Sequence, residues 1–313
     1  MKRKLTIIIA LAALLFSGCE DFLDRPVLTK MNDQNYWTSE NNLRLFANGF
    51  YVNYFVGYNS GWGVDYAPLR GYYFADDFTQ TGKQISFETQ APASRASTSE
   101  APSMMTTYCG PSWNFAYVRK ASLFLERIEA MKDEYLTEDA YKHWSAVARF
   151  FRGYEYSRLV SVFGDVPYYD RLIKDSELDL LYKDRDDRTM VIDAVYDDFE
   201  YVMANMRASD GNAQYLNRYI AASFISRFML FEGTWQKYHL NNSDKAQKYL
   251  QMAADAASYV MASGKYSFTS DFRSLFGSMD LAGNKEVIMY RHYDAAIGVM
   301  QDRKSTRLNS SHT

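Results

Sequence analysis

Five amphipathic stripes between residues 121 and 260 restrict the fold of this 313-residue chain more than any other feature. Within each stripe, apolar residues recur every three or four positions, which is typical of a helix with one buried face. The stripes are Ala121, Phe124, Leu125, Ile128 and Met131; Ala140, Trp144, Val147, Phe151 and Tyr154; Val195, Phe199, Val202 and Met206; Ala222, Ile225 and Met229; and Ala246, Leu250, Ala253, Ala257 and Val260. A shorter helix is predicted from Trp37 to Tyr51. The pattern predicts a mostly α-helical body in which no helix is buried on all sides.

Helix-boundary residues separate these stripes. Thr137, Asn217 and Ser243 are good N-caps for the second, fourth and fifth stripes. Gly164, Gly211 and Gly264 are the corresponding stop signals after the second, third and fifth stripes. Because most connections are short, neighbouring helices are expected to pair antiparallel. Length and pairing predict a TPR-like helical hairpin scaffold with long loops, although the sequence signature of that repeat is not visible.

The amino terminus carries the features of a secretory signal peptide over residues 1–18. Lys2, Arg3 and Lys4 precede an apolar run that is too short to span a membrane. The run ends in Ser-Gly-Cys19, which resembles the bacterial lipobox and predicts lipidation of Cys19. The alternative is a plain signal peptide followed by a chance cysteine. Glu20-Asp21 resembles the acidic surface-export signal of Bacteroidetes lipoproteins, which implies the outer face of the outer membrane.

The segment "ARFFRGYEYSRLVSVFGDVPYYD", residues 148–170, resembles the signature run of the SusD/RagB family of outer-membrane nutrient-binding lipoproteins. Similar stretches follow at 191–206, 217–233 and 246–290, the last with an expected Asn-x-Glu-Val-Ile strand at 284–288. The resemblance implies a glycan or oligosaccharide ligand and a SusC-like TonB-dependent transporter as partner, with the helical side as the docking surface. The Phe-Gly-Asp-Val-Pro part of the run is interpreted as a helix terminator, since Gly164 and Pro167 cannot continue a helix.

Family members are longer than this chain, and its ending, "DRKSTRLNSSHT", has no apolar period. We therefore expect a SusD-like helical domain at 19–301 that is incomplete at the C-terminus, and a non-native tail at 302–313 that resembles translated library-adapter sequence.

Catalytic motifs find little support in the sequence. The four histidines are isolated, and no metal-ligand cluster, phosphate loop or nucleophile elbow is visible. Adjacent Asp76 and Asp77 would point to opposite faces of a strand, so they do not form a glycosidase pair. Asp184–Arg188 lacks the spacing of a calcium loop and is interpreted as a solvated turn. The chain is therefore expected not to be an enzyme and to need no metal or cofactor.

Residues 50–78 are rich in aromatic residues and are interrupted by four glycines, so this stretch is the better candidate for ligand binding. Sugars present apolar C–H faces to aromatic rings, while their hydroxyl groups need polar partners. The predicted ligand-binding residues are Trp62, Tyr66, Arg70, Tyr72 and Asp76. Core packing is favoured instead for Tyr51, Tyr54, Phe55, Phe74 and Phe78.

Composition excludes one class of partner, and one alternative function stays open. The net charge of −3 and the absence of a basic cluster do not suggest nucleic acid. A helical-repeat surface scaffold or adhesin that binds protein or peptide is the alternative, because repeat folds offer such surfaces readily. A neighbouring gene for a SusC-like transporter would favour the nutrient-binding function.

Overall fold

The computed structural model describes residues 36–55, 113–268, 271–278 and 280–292. By its contacts the chain divides into two units, 1–38 and 39–313. In the first unit the rings of Tyr36 and Trp37 meet edge to face. The helices described in the second unit are α1 (Glu40–Tyr54), α2 (Ala116–Met131), α3 (Glu138–Phe163), α4 (Leu178–Leu181), α5 (Arg188–Asn205), α6 (Arg218–Tyr238), α7 (Ser243–Met261) and α8 (Phe272–Phe276). The mostly α-helical class is confirmed.

Helix α3 is the centre of the described fold. Helices α1, α2 and α5 all pack against it, and 18 of its 26 residues are buried. The expectation that no helix is buried on all sides is therefore wrong for residues 150–157 of α3, which are all buried, because neighbours on more than one side require more than one apolar face. The buried residues outside its predicted stripe include Phe150, Tyr156 and Leu159.

The helices pair as hairpins, as their lengths and connections predict. Short connections at 132–137 and 239–242 join α2 to α3 and α6 to α7, and α5 packs on α3. Glycines allow two of these pairs to approach closely. A Cβ on Gly153 would lie 2.6 Å from the ring of Phe199 on α5, and one on Gly233 would lie 3.0 Å from the backbone nitrogen of Leu250 on α7.

Several helix boundaries match their predicted caps. The Thr137 and Asn217 side chains accept hydrogen bonds from the first turns of α3 and α6. Gly164 ends α3 with a positive φ of 73°. The N-cap of α7 is Asn242 rather than Ser243, since the Asn242 side chain accepts from Lys245 N.

Other predicted boundaries are wrong. Helix α1 begins three residues later than Trp37, since the Ser39 side chain caps it. Helix α5 ends at Asn205, and Met206 takes an extended conformation. Gly211 therefore lies in the following loop, with a φ of 74°. The strand expected at 284–288 is absent: Val287 N–H donates to Asn284 O, which makes this part of the chain a turn.

Aromatic side chains fill the contact between α1 and α3. The rings of Phe50 and Phe151 stack 4.5 Å apart, and the Tyr54 hydroxyl donates to buried Glu155 at 2.7 Å. Tyr51 accepts a hydrogen bond from Leu216 N at 2.7 Å, and Phe55 contacts the ring of Phe151. The core-packing prediction is confirmed for Tyr51, Tyr54 and Phe55; Phe74 and Phe78 lie outside the described residues.

None of the helices in the described ranges combines the length and the apolar character that a membrane span requires.

Candidate functional site

The residues predicted for ligand binding and lipidation lie outside the described part of the chain. They are Trp62, Tyr66, Arg70, Tyr72 and Asp76 for the ligand, and Cys19 for the lipid. What the structure does place is a cleft between the α2–α3 hairpin and the segment 168–175. We call it the hairpin cleft.

The cleft forms because the chain doubles back on α3 after Gly164 and Pro167 end that helix. Tyr169 N–H donates to the hydroxyl of buried Tyr156 at 2.7 Å. The guanidinium of Arg152 donates to Asp170 O at 2.6 Å. Residues 169 and 170 therefore lie beside the middle of α3, and the segment that follows them faces α2.

A polar part of the hairpin cleft has a volume of about 610 Å³. Its walls come from α2, α3, α5 and the returning segment. They include Ser122, Glu126, Glu129, Tyr141, Arg149, Arg152, Asp170, Arg171 and Tyr201.

An apolar part adjoins the polar part and has a volume of about 290 Å³. Its lining includes Phe115, Val118, Tyr169, Ile173 and Leu181. Ser122 and Arg171 line both parts, so the two lie next to each other along α2.

A buried ionic cluster fixes the inner wall of the polar part. Asp198 on α5 accepts two hydrogen bonds from Arg152, both at 2.7 Å, and one from Arg149 at 2.8 Å. Burial alone would lower the pKa of Arg152, but the Asp198 carboxylate outweighs this effect and raises it. Both arginines belong to the signature run 148–170, so this part of the run joins α3 to α5.

Two tyrosines shape the outer rim. The guanidinium of Arg149 lies 4.6 Å from the ring centre of Tyr201. The Tyr141 hydroxyl donates to Glu129 on α2 at 2.6 Å. Burial and this carboxylate raise the pKa of Tyr141 to about 12, so the hydroxyl keeps its proton at neutral pH.

This arrangement suits binding through hydrogen bonds and ring contacts. Within the described ranges, no group of three or more histidine, cysteine, aspartate or glutamate side chains could hold a metal ion.

The sequence interpretation of Asp184–Arg188 as a solvated turn is wrong at its end. Arg188 is buried and donates to Glu232 on α6 at 2.6 and 3.1 Å. Asp187 caps α5, accepting from Thr189 N at 2.8 Å. The missed sequence signal is the pair Asp187-Arg188, an N-cap aspartate followed directly by an arginine, which the structure shows to be buried.

Known proteins resemble this chain in both sequence and fold. A protein-family model for SusD-like proteins, described as starch-binding and associating with the outer membrane, matches residues 69–230. The chain belongs to the SusD-like family. The resemblance of the signature run to SusD/RagB proteins is therefore confirmed, and the match includes the whole α2–α3 hairpin.

Relatives of this SusD-like chain are recognisable over most of its length. It is 24% identical to SusD-like protein P2 of Formosa agariphila over 301 residues, which is 93% of this chain and 53% of that protein. A SusD-like carbohydrate-binding protein of Bacteroides fragilis superimposes with a TM-score of 0.57 at 19% identity, over 83% of this chain and 48% of the other. A SusD superfamily protein of Bacteroides thetaiotaomicron gives a TM-score of 0.53 at 17% identity, over 83% of this chain and 54% of the other. These superpositions confirm the SusD-like, TPR-like helical fold, and the chain spans about half the length of these relatives.

Proposed function

We propose that this SusD-like chain belongs to a cell-surface lipoprotein that binds glycan nutrients and delivers them to a SusC-like TonB-dependent transporter. The observation that carries the proposal is the match of residues 69–230 to a family described as starch-binding and associating with the outer membrane. The name of the B. fragilis neighbour, a carbohydrate-binding protein, supports the ligand class. The role is binding without catalysis, with no cofactor.

The lipid anchor is proposed at Cys19. A short apolar run that ends in Ser-Gly-Cys matches the chemistry of a thiol that receives a diacylglyceryl group, and more than one acyl chain gives stable anchoring. The chain offers a matched control in Cys109, its other cysteine. Cys19→Ala should abolish labelling with an alkynyl fatty acid and release the protein from membranes, whereas Cys109→Ala should change neither. Equal labelling of the Cys19 variant would contradict the anchor.

The proposed glycan site is the aromatic stretch around Trp62, which stands between two glycines. Its ring would stack on a sugar face, with Tyr66 and Tyr72 beside it and Arg70 or Asp76 hydrogen-bonded to hydroxyl groups. Aromatic contacts contribute roughly 0.5–1.5 kcal/mol beyond area burial. Trp62→Ala should therefore weaken glycan affinity roughly twofold to tenfold, since about 1.4 kcal/mol corresponds to tenfold.

Calorimetry against a glycan panel tests this site. The control is Tyr238→Ala, which removes an exposed aromatic side chain from the end of α6. Unchanged affinity of the Trp62 variant for every bound glycan, with the fold intact, would place the site elsewhere.

Co-purification with a SusC-like transporter tests the proposed partner. Capture of a protein or peptide ligand in place of any glycan would favour the scaffold or adhesin function instead.

A further inference from the structure

The function proposed above places the glycan on the aromatic stretch around Trp62 and assigns no ligand to the hairpin cleft. Its polar part alone, at about 610 Å³, has the size of a small-molecule pocket, since such pockets range over about 300–1,000 Å³. The apolar part extends it by about 290 Å³. An elongated ligand therefore fits the cleft better than a single small ion.

Two buried polar groups in the cleft lining lack hydrogen-bond partners among the described residues. These are the hydroxyl oxygen of Ser122 and the Nε of Arg149. Ser122 is only 3% exposed and stands where the polar and apolar parts join. Buried polar atoms in folded proteins nearly always have a partner, and a ligand with hydroxyl or carbonyl oxygens at the cleft could supply one to each of these two groups.

The charges of the polar part favour a neutral ligand over an anion. Its charged lining residues are Arg149, Arg152 and Arg171 against Glu126, Glu129 and Asp170. The arginines are also engaged, because Arg149 and Arg152 donate to Asp198 and Arg171 donates to Glu177 at 2.6 and 3.0 Å. No excess of positive charge is left to attract phosphate or carboxylate groups.

Aromatic rings line both parts of the cleft. Tyr141 and Tyr201 line the polar part, and Phe115 and Tyr169 line the apolar part; all four are half-buried. Rings of this kind pack against apolar C–H faces, while nearby carboxylates, guanidinium groups and Ser122 accept or donate hydrogen bonds. Alternating C–H faces and hydroxyl groups are the chemistry of a sugar chain.

We propose that the hairpin cleft is a second binding site, separate from the Trp62 stretch, for a neutral oligosaccharide. The ligand class rests on the proposed function, whereas the location rests on the cleft itself. Because the site is built from α2, α3 and the returning segment, ligand should protect the backbone of residues 116–131 and 168–175 from hydrogen exchange.

The experiment measures binding and hydrogen exchange on the full chain with maltoheptaose, cellohexaose and xylohexaose, and with trigalacturonate as the charged comparison. Tyr141→Ala and Tyr201→Ala each remove one ring from the cleft, and Tyr238→Ala is the matched control on α6. Each cleft variant should weaken binding of a neutral probe by roughly twofold to tenfold, while the control leaves it unchanged. A thermal melt of each variant verifies that it folds.

Trp62→Ala separates this proposal from the proposed function. Protection of 116–131 and 168–175 that persists in Trp62→Ala and decreases in Tyr201→Ala supports the second site. The second site is overturned if Trp62→Ala abolishes binding, both cleft variants bind normally, and no ligand protects the cleft from exchange. That result would leave the proposed function standing. Tighter binding of trigalacturonate than of every neutral probe overturns the neutral-ligand assignment. Protection of the cleft by a transporter, but by none of the saccharides, overturns the site as a saccharide site.

Discussion

Asp198 is expected to contribute strongly to the stability of the fold, because two arginines donate hydrogen bonds to its carboxylate. It is 2% exposed and accepts hydrogen bonds from Arg149 and Arg152. Removing one partner of a buried ion pair leaves an uncompensated charge, which costs about 3–5 kcal/mol. We expect Asp198→Asn to lower the free energy of unfolding by about that amount in urea titrations. The control, Glu138→Gln, breaks an exposed pair with Lys142 and should lower the free energy of unfolding far less, because exposed ion pairs contribute little. Equal losses in the two variants would contradict the structural role of Asp198.

Asp210 is expected to make stability depend on pH. It lies 3.3 Å from Nε2 of His143 and pairs with both terminal nitrogens of Arg44, at 2.6 and 2.9 Å. Burial alone would raise the pKa of Asp210, but His143 and Arg44 together hold it well below its usual range. A folded pKa below the unfolded one, which is about 3.9 for aspartate, stabilises the protein above that pH and loses the effect as pH falls.

The pH prediction is checked with Asp210→Asn. Wild type should lose stability more steeply than the variant as pH falls from about 5 toward the depressed pKa. Urea unfolding at a series of pH values gives both slopes. Parallel curves for wild type and variant over this range would show that the Asp210 cluster contributes no pH-dependent stability.

At the scale of helices, Gly153 sets the distance between α3 and α5. A Cβ at this position would meet the ring of Phe199 at 2.6 Å, inside the core. Overpacking of this kind costs about 1–3 kcal/mol, so Gly153→Ala should lower the melting temperature. Gly49→Ala is the matched control, because its Cβ meets only the flexible end of Lys120. Alanine in a helix interior is otherwise favoured over glycine by about 0.5–1 kcal/mol. A larger loss for Gly49→Ala than for Gly153→Ala would refute the close approach.

The helices could be predicted from sequence because their signals are local. Apolar spacing reports a buried face, and Thr137 and Asn217 satisfy backbone donors within three residues along the chain. The burial of Arg188 could not be predicted in this way, since its partner Glu232 lies 44 residues away. The all-round burial of residues 150–157 in α3 likewise depends on other helices, since α1, α2 and α5 all pack against α3.

The hairpin cleft escaped prediction for the same physical reason. It exists because Tyr156 and Arg152 hold residues 169 and 170 against α3, across separations of 13 and 18 residues. The signature run marks the family and ends α3, as its residues predict. The support that two of its arginines give to a cleft wall was not predictable, because it depends on Asp198 on another helix.

At the scale of the whole molecule, the organisation into residues 1–18, 19–301 and 302–313 stays a prediction, as does the anchor at Cys19. The confirmed family and fold concern the helical body.

Glu20 and Asp21 are expected to decide on which side of the outer membrane the anchored protein is displayed. Glu20 and Asp21 directly follow the proposed lipid site and resemble an acidic export signal. If these charges are recognised during sorting, replacing both with alanine should leave a lipidated protein that faces the periplasm. The control is Asp24→Ala, which removes an acid a few residues further along the chain. Intact cells expressing each variant are treated with external protease, and fatty-acid labelling is measured in parallel. Wild type and Asp24→Ala should be digested, whereas the double variant should be labelled but protected. Digestion of the double variant at the wild-type rate would show that surface display does not depend on these two acids.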